Sequence, residues 1–371
     1  MKVKKIQRKN WGIRSFLANF SWDIGIDLGT NNTLIYLKGK GVVLNEPTMI
    51  ARVKKRRFLG LSAPKAKMSK PVAFGAKAKE MWNREPQQLE VISPIKNGIV
   101  SDMEGLEMLL DYYLKLIYEI PSPYPKLFKP RVIVSVPGTI TEVQKRAVKT
   151  VMLSAGAREV ILVEGLILAA LGVGLSTEKT DGVVVVDVGG GKTEVGVVSM
   201  GGLVVGRGIT TSGNDLDKAI VNYVRMKYNL MIGLNSAERV KIDIGDMNPE
   251  GESKKSALLR GRDIETGLPK GIKIGDTEIR EAMILEVQKM VKLVSEVLDE
   301  TPPELMEDVL KRGIILTGGG AGLKGMDKLI ESKTKISTRA VEESDLSIIR
   351  GIGELVENTD RLNTIRLVGG V

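Results

Sequence analysis

The 371-residue sequence contains neither cysteine nor histidine. That excludes disulfides, thiolate and imidazole metal sites, Cys or His nucleophiles, and pH switching through an imidazole. Chemistry in this chain must rest on carboxylates, lysine, threonine, backbone amides and a hard cation. No apolar run reaches the ~18 residues that a membrane span needs. No secretory signal with a small-residue cleavage site is visible either, so a cytoplasmic location is expected. Acidic residues are in deficit, 45 against 55 basic, and the net charge of +10 favours a polyanion such as a nucleotide, nucleic acid or acidic membrane surface. What is present is ordinary for a globular protein, with 43% hydrophobic and 27% charged residues. The length exceeds one ordinary core and predicts two domains or a domain pair.

The strongest pattern is an internal repeat. Asp27-Leu-Gly-Thr-Asn-Asn-Thr33 and Asp187-Val-Gly-Gly-Gly-Lys-Thr193 share Asp, Gly and Thr at the same offsets. Each follows an apolar strand, Asp23–Asp27 or the valine run 182–188, and precedes another, Thr33–Leu37 or Glu194–Val198. Two strand–turn–strand units in register imply two related α/β halves facing one another. Between them the pattern predicts strand 132–136, helix 140–155, strand 160–163 and helix 166–175. Residues 55–95, rich in Lys, Pro and Ala, read as a small polar, partly helical insertion. Residues 210–271 read as a second insertion with Gly, Lys and Asp in loops. A long helix 277–299, a helix starting at Pro302-Pro303 and strand 313–316 then lead into a third glycine cluster, Gly318–Gly320. A helix is expected to open there, over 321–330.

A phosphate chain needs backbone N–H groups that approach closely, which glycine permits. Gly189, Gly190 and Gly191 fit this need, and Thr30, Thr33, Thr193, Asn31 and Asn32 can add donors. Asp27 and Asp187, at strand ends, suit water-mediated Mg²⁺. Taken singly, each loop also reads as a plain hairpin. Gly318, Gly319, Gly320 and Ala321 can lie flat against an adenosine, or form a tight strand-to-helix turn. The cluster lacks the pattern of a dinucleotide-binding Rossmann site.

The segments DIGIDLGTNNTLIYLKGKGVVLNEP, VPGTITEVQKRAV, AGAREVILVE, VDVGGGKTEV, SAERVK and ILTGGGAGLKG resemble the MreB family of bacterial actin homologues. The resemblance runs from about Asp23 to Glu357. It implies an actin-like α/β fold, with ATP and Mg²⁺ in a central cleft and assembly into paired protofilaments on a membrane. In that scheme residues 23–54, 96–177 and about 345–366 form the first domain, and 178–209 plus 272–344 the second. Residues 55–95 and 210–271 are then their small insertions. The resemblance also implies that Glu238 and Lys241, with Arg239 and Val240 between them, meet the ribose and adenine. The residues alone read only as charges at i, i+3 on a helix face.

Two departures bear on hydrolysis. Where the family has L-I-E-E-P-M-A-A, this chain has Leu162-Val-Glu-Gly-Leu-Ile-Leu-Ala169, so Gly165 replaces the second Glu, which positions the attacking water. Where the family has D-I-G-G-G-T-T-E, Lys192 replaces a Thr facing the terminal phosphate. Asn31 also stands where Ala is usual. Loss of a water-orienting carboxylate slows hydrolysis by roughly two to four orders of magnitude. Glu164 is the candidate substitute, although neighbours on an extended segment point to opposite sides. Lys192 either reaches a phosphate oxygen, as a point cation on a long stem can, or turns to solvent. The expectation is a nucleotide-holding, weakly or non-hydrolysing paralogue.

Residues 1–22 carry six basic and no acidic residues. Ile13, Phe16, Leu17 and Phe20 recur as one helical stripe beside Trp11, the composition of an interfacial amphipathic helix. A helix docked on the protein's own body, or a basic tail, would show the same pattern. The proline-rich loop 121–130 carries Leu127 and Phe128 and is similar in placement to a membrane loop of the family. The resemblance implies RodZ-like and wall-synthesis partners, a peripheral position on the inner face of the cytoplasmic membrane, and a hydrolysing sister protein as a further partner. Competing readings are an enzyme or chaperone ATPase on the same fold, and a nucleic-acid binder. A sugar kinase needs a catalytic Asp in a polar sugar pocket, and none is visible. The nucleic-acid reading rests on net charge alone and lacks interleaved aromatics.

Overall fold

The repeat becomes two five-stranded sheets of the same design. In the computed structural model, which describes residues 22–54, 70–122, 129–175, 180–249 and 254–368, the first sheet has the order Glu159–Glu164, Arg131–Val136, Ile24–Leu28, Asn32–Leu37, Gly41–Pro47. The second reads Thr338–Ala340, Ile314–Thr317, Val183–Val188, Thr193–Ser199, Gly202–Ile209. In each, a three-stranded antiparallel meander is extended by two parallel strands on its first member. The architecture is the α/β one with two related halves that the resemblance implied.

Strand Val183–Val188 is buried at every position, which is why its sequence runs apolar instead of alternating. Helix Asp276–Asp299 buries Ile279, Met283, Val287, Met290 and Val294 at three- and four-residue spacing against the second sheet. Helix Glu142–Ser154 starts from a capping box in which Thr141 and Gln144 satisfy each other's backbone N–H groups. Between the halves lies a separate core. Helix Gly165–Gly172, GLILAALG, is almost wholly buried and crosses helix Ser347–Glu357. The crossing is so close that a Cβ on Gly351 would lie 1.9 Å from Leu168 O.

Several expectations change. The segment 210–271 is mostly regular: helices Gly213–Tyr228 and Leu234–Ile244, then the hairpin Ser256–Asp263/Pro269–Gly275. Its polar positions are the outer faces of amphipathic elements, since Leu216, Ile220 and Val224 are buried. The small sheet of the other insertion begins before residue 55, with Ile50–Val53 pairing Pro71–Phe74 and Leu89–Ile92. No helix opens at Ala321. A 3₁₀ turn occupies Gly319–Gly322, and the helix starts at Met326 after Gly325 at φ +75°. The membrane-contact expectations, Trp11, Ile13, Phe16, Leu17 and Phe20 with Leu127 and Phe128, lie outside the described residues. Among the described residues no helix is long and apolar enough to cross a membrane.

Candidate nucleotide-binding site

The two meanders present their first turns, residues 29–31 and 189–192, to each other across a cleft. The hairpin register sets Asp27 opposite Leu34 and Asp187 opposite Glu194. Asp187 is buried at its strand end, and Asp27 is half-buried at its own. Burial pushes the Asp27 carboxyl up to about 6, against a 2.5 Å hydrogen bond donated by Ser135 Oγ. Asp187 is pushed up to about 7, first by burial and then by the charges of Glu194 and Asp27, with Lys192 and a Thr317 hydrogen bond opposing. Asp187 therefore senses the charge of Asp27, and a cation beside them would favour the ionised form of both. Among the described residues no group of three or more Asp, Glu, His or Cys could hold a metal. Two carboxylates at neighbouring strand ends fit Mg²⁺, which keeps most of its waters and takes oxygens from phosphate.

The turns already touch. Asn31 and Asn214 exchange two amide hydrogen bonds of 2.9 Å across 183 residues. A Cβ on Gly190 would lie 2.3 Å from Asn31 Nδ2, and one on Gly191 would lie 2.3 Å from Thr30 Oγ1. Thr30 Oγ1 accepts from Gly98 N at 2.9 Å. Asn32 is exposed at the turn. Gly189 N closes its own turn on Lys192 O at 2.9 Å, while Gly189 O and Gly190 O receive Gly213 N and Asn214 N. The start of helix Gly213–Tyr228 is thus fixed to the second turn.

Thr33 and Thr193 behave otherwise than the sequence suggested. Thr33 Oγ1 is buried and bonded to Thr48 Oγ1 at 2.9 Å, and Thr193 Oγ1 is buried and donates to Thr211 O at 2.8 Å. Each hydroxyl closes its hairpin against a threonine just past the third strand, so in this structure the shared Thr of the repeat spends its hydroxyl within its own half. Lys192 takes neither expected course. Its stem crosses Gly98, and Nζ lies 2.5 Å from Glu194 Oε2, with burial pulling its pKa down against the pull of Glu194. Glu194 Oε1 accepts from Gly138 N at 3.0 Å. Glu164 sits half-buried at the start of helix Gly165–Gly172, its pKa raised chiefly by burial.

Gly318, at φ +80°, lies against Asp187: a Cβ there would be 2.5 Å from Oδ1. Gly319 is exposed, and Gly320 is packed on Val188. Ala321 is buried. Lys241 Nζ pairs with Asp217 at 2.7 Å and donates to Gly213 O at 3.0 Å, at the edge of the cleft. Glu238 meets Lys79 at 3.7 Å, joining the two small insertions across the cleft mouth. Val240 is buried in the core of the second half and Arg239 is exposed, so this pair brackets the face that carries Glu238 and Lys241. Sequence reasoning missed Ser135, Asn214 and Glu194. Hairpin register would have found Glu194, the residue facing Asp187, whereas nothing local marks Asn214.

Comparison with known proteins shows the family of the chain. A family model described as MreB/Mbl protein matches residues 21–364. The chain is 39% identical over 348 residues to the cell shape-determining protein MreB of Escherichia coli K12, covering 94% of this chain and 97% of that one. It is 36% identical over 343 residues to Mbl of Bacillus subtilis, covering 92% and 98%. The crystal structure of MreB5 of Spiroplasma citri bound to AMPPNP superposes with a TM-score of 0.81 at 33% identity, covering 94% and 98%. The MamK double helical filament, at 20% identity over 90% and 98% and TM-score 0.72, shares the fold. With two facing hairpins, matched sheets and these likenesses over nearly its whole length, the chain belongs to the MreB/Mbl family.

Proposed function

We propose that this chain is an ATP-binding, actin-like filament protein that lies on the inner face of the cytoplasmic membrane. It controls cell shape by organising wall synthesis, with weak or no ATP hydrolysis. The observation that carries the reading is the pair of aspartates, half-buried Asp27 and buried Asp187, at strand ends beside two glycine-bearing turns that touch, with the charge of Asp27 acting on Asp187. Such a pair suits a Mg²⁺-bound phosphate chain. MreB5, a relative at 33% identity, was crystallised with AMPPNP, and curated relatives are named for cell shape. The MamK filament supports self-association through the shared fold.

Thr30 and the amides of residues 189–191 would line the phosphates, Gly318–Gly320 the adenosine, and Glu238 and Lys241 the ribose and adenine. Weak hydrolysis is inferred because Gly165 has no side chain and Lys192 is held on Glu194. The basic, amphipathic residues 1–20 would bind anionic lipid, alongside RodZ-like partners and a hydrolysing sister protein. Incubating purified protein with Mg·ATP and identifying the bound nucleotide after hours tests the reading directly. Intact ATP is expected, and quantitative conversion to ADP would overturn the claim of weak hydrolysis. Electron microscopy with ATP and lipid should show sheets or paired filaments; soluble monomers would overturn the filament assignment.

A further inference from the structure

Glu194 is buried in the cleft, yet the repeat that built the site gives it no counterpart. Its equivalent across the two meanders is Leu34, which faces Asp27 as Glu194 faces Asp187. Residues directly opposite in an antiparallel pair project on the same side of the sheet, so the Glu194 carboxylate emerges beside Asp187. A buried acid next to another acid is unfavourable, and its charge contributes to the upward shift of Asp187. Such a group is retained where it is compensated or where it acts.

Compensation is visible on both oxygens. Oε1 accepts the Gly138 N–H from the first half at 3.0 Å, and Oε2 lies 2.5 Å from Lys192 Nζ. The same carboxylate faces the point where residue 165 would project: a Cβ on Gly165 would be 3.9 Å from Glu194 Oε2. Three features therefore converge on one place: an acid beside a metal-site aspartate, a cation laid on it, and a position with no side chain opposite.

We propose that Glu194 is the carboxylate able to orient a water against the terminal phosphate in this chain, and that its ion pair with Lys192 holds it out of that role. This rests on the ATP reading above. With the ammonium in place, the oxygen that would receive a water is occupied by a cation, and the other is spent on Gly138. With the ammonium gone, Oε2 is free to accept a hydrogen bond from water. The water oxygen then bonds to phosphorus as the bond to the bridging oxygen breaks. ADP leaves with that electron pair, and one water proton passes to the carboxylate.

The test is single-turnover hydrolysis of radiolabelled Mg·ATP with protein in excess, alongside affinity for a non-hydrolysable ATP analogue. Lys192→Met should raise the rate at least about tenfold while analogue affinity changes less than about threefold. Adding Glu194→Gln to Lys192→Met should abolish the gain. Lys192→Leu, which also leaves Glu194 Oε2 without a donor, is the second variant and should likewise raise the rate. No rise in either variant, or a rise that survives Glu194→Gln, overturns the proposal. Wild-type protein that binds no analogue overturns the ATP reading and this proposal together, whereas normal binding with flat rates overturns this proposal alone.

Discussion

At the scale of single residues, the site is governed by acids held where their charge is unwelcome. Asp27 and Asp187 are pushed up to about 6 and about 7, mainly by burial. A carboxyl whose folded value lies above its unfolded one gives stability that is complete below about pH 4 and is lost as pH rises through the folded value. The ligand-free protein should therefore lose melting temperature between pH 5 and pH 8. Asp187→Asn should flatten that fall and also remove stabilisation by Mg²⁺ with nucleotide. An unchanged slope in the variant would refute the assignment. Gly318 makes a second case, with φ +80° and no room for a Cβ beside Asp187 Oδ1. Gly318→Ala should cost about 1–3 kcal/mol in denaturant unfolding and weaken nucleotide binding.

At the scale of elements, the junction of the halves depends on helices that approach closely. Gly351 leaves no space over Leu168 O, so Gly351→Ala must push apart the helices 165–172 and 347–357. A loss of about 1–3 kcal/mol is expected by calorimetry or denaturant unfolding; full retention of stability would mean that the crossing is looser than 1.9 Å implies. The turns are clasped more weakly. The Asn31–Asn214 amide pair is exposed, so a double-mutant cycle to alanine should give a coupling of only about 0.5–1 kcal/mol. Its clearer effect should be kinetic, with faster release of a fluorescent nucleotide from Asn31→Ala. The Lys79–Glu238 pair at the cleft mouth, solvent-exposed at 3.7 Å, should contribute below about 1 kcal/mol and fade with salt.

At the scale of the whole molecule, two sheets share one core between them and one cleft above it. A ligand that bridges the cleft binds the folded state only, so Mg·ATP at a hundred times its dissociation constant should add about 2.7 kcal/mol to stability. A shift absent without Mg²⁺ is expected, given two carboxylates in want of a cation. Removal of residues 1–20 should strongly reduce pelleting with anionic liposomes while leaving that nucleotide-dependent shift intact. Unchanged pelleting would assign the basic, apolar-striped residues 1–20 to another role.

The sequence by itself determined the elements with local signatures. The valine strand, the two Asp–Gly–Thr hairpins and helix 276–299 were legible because apolar period and turn residues act within a few positions. The regular elements of the segment 210–271, a polar insertion with Gly, Lys and Asp in loops on its sequence, were hidden because polar faces outweigh a narrow buried stripe. Tertiary structure decided what each site residue does. Thr33 and Thr193 looked like phosphate donors until Thr48 and Thr211 took their hydroxyls. Lys192 looked bound for phosphate or solvent until Glu194 claimed it. The clasp of Asn31 on Asn214 joins residues 183 apart, and Gly138 meets Glu194 across 56. Short-range chemistry sets which element forms, but a charge or amide takes its role from whichever partner the packed halves bring within hydrogen-bonding distance.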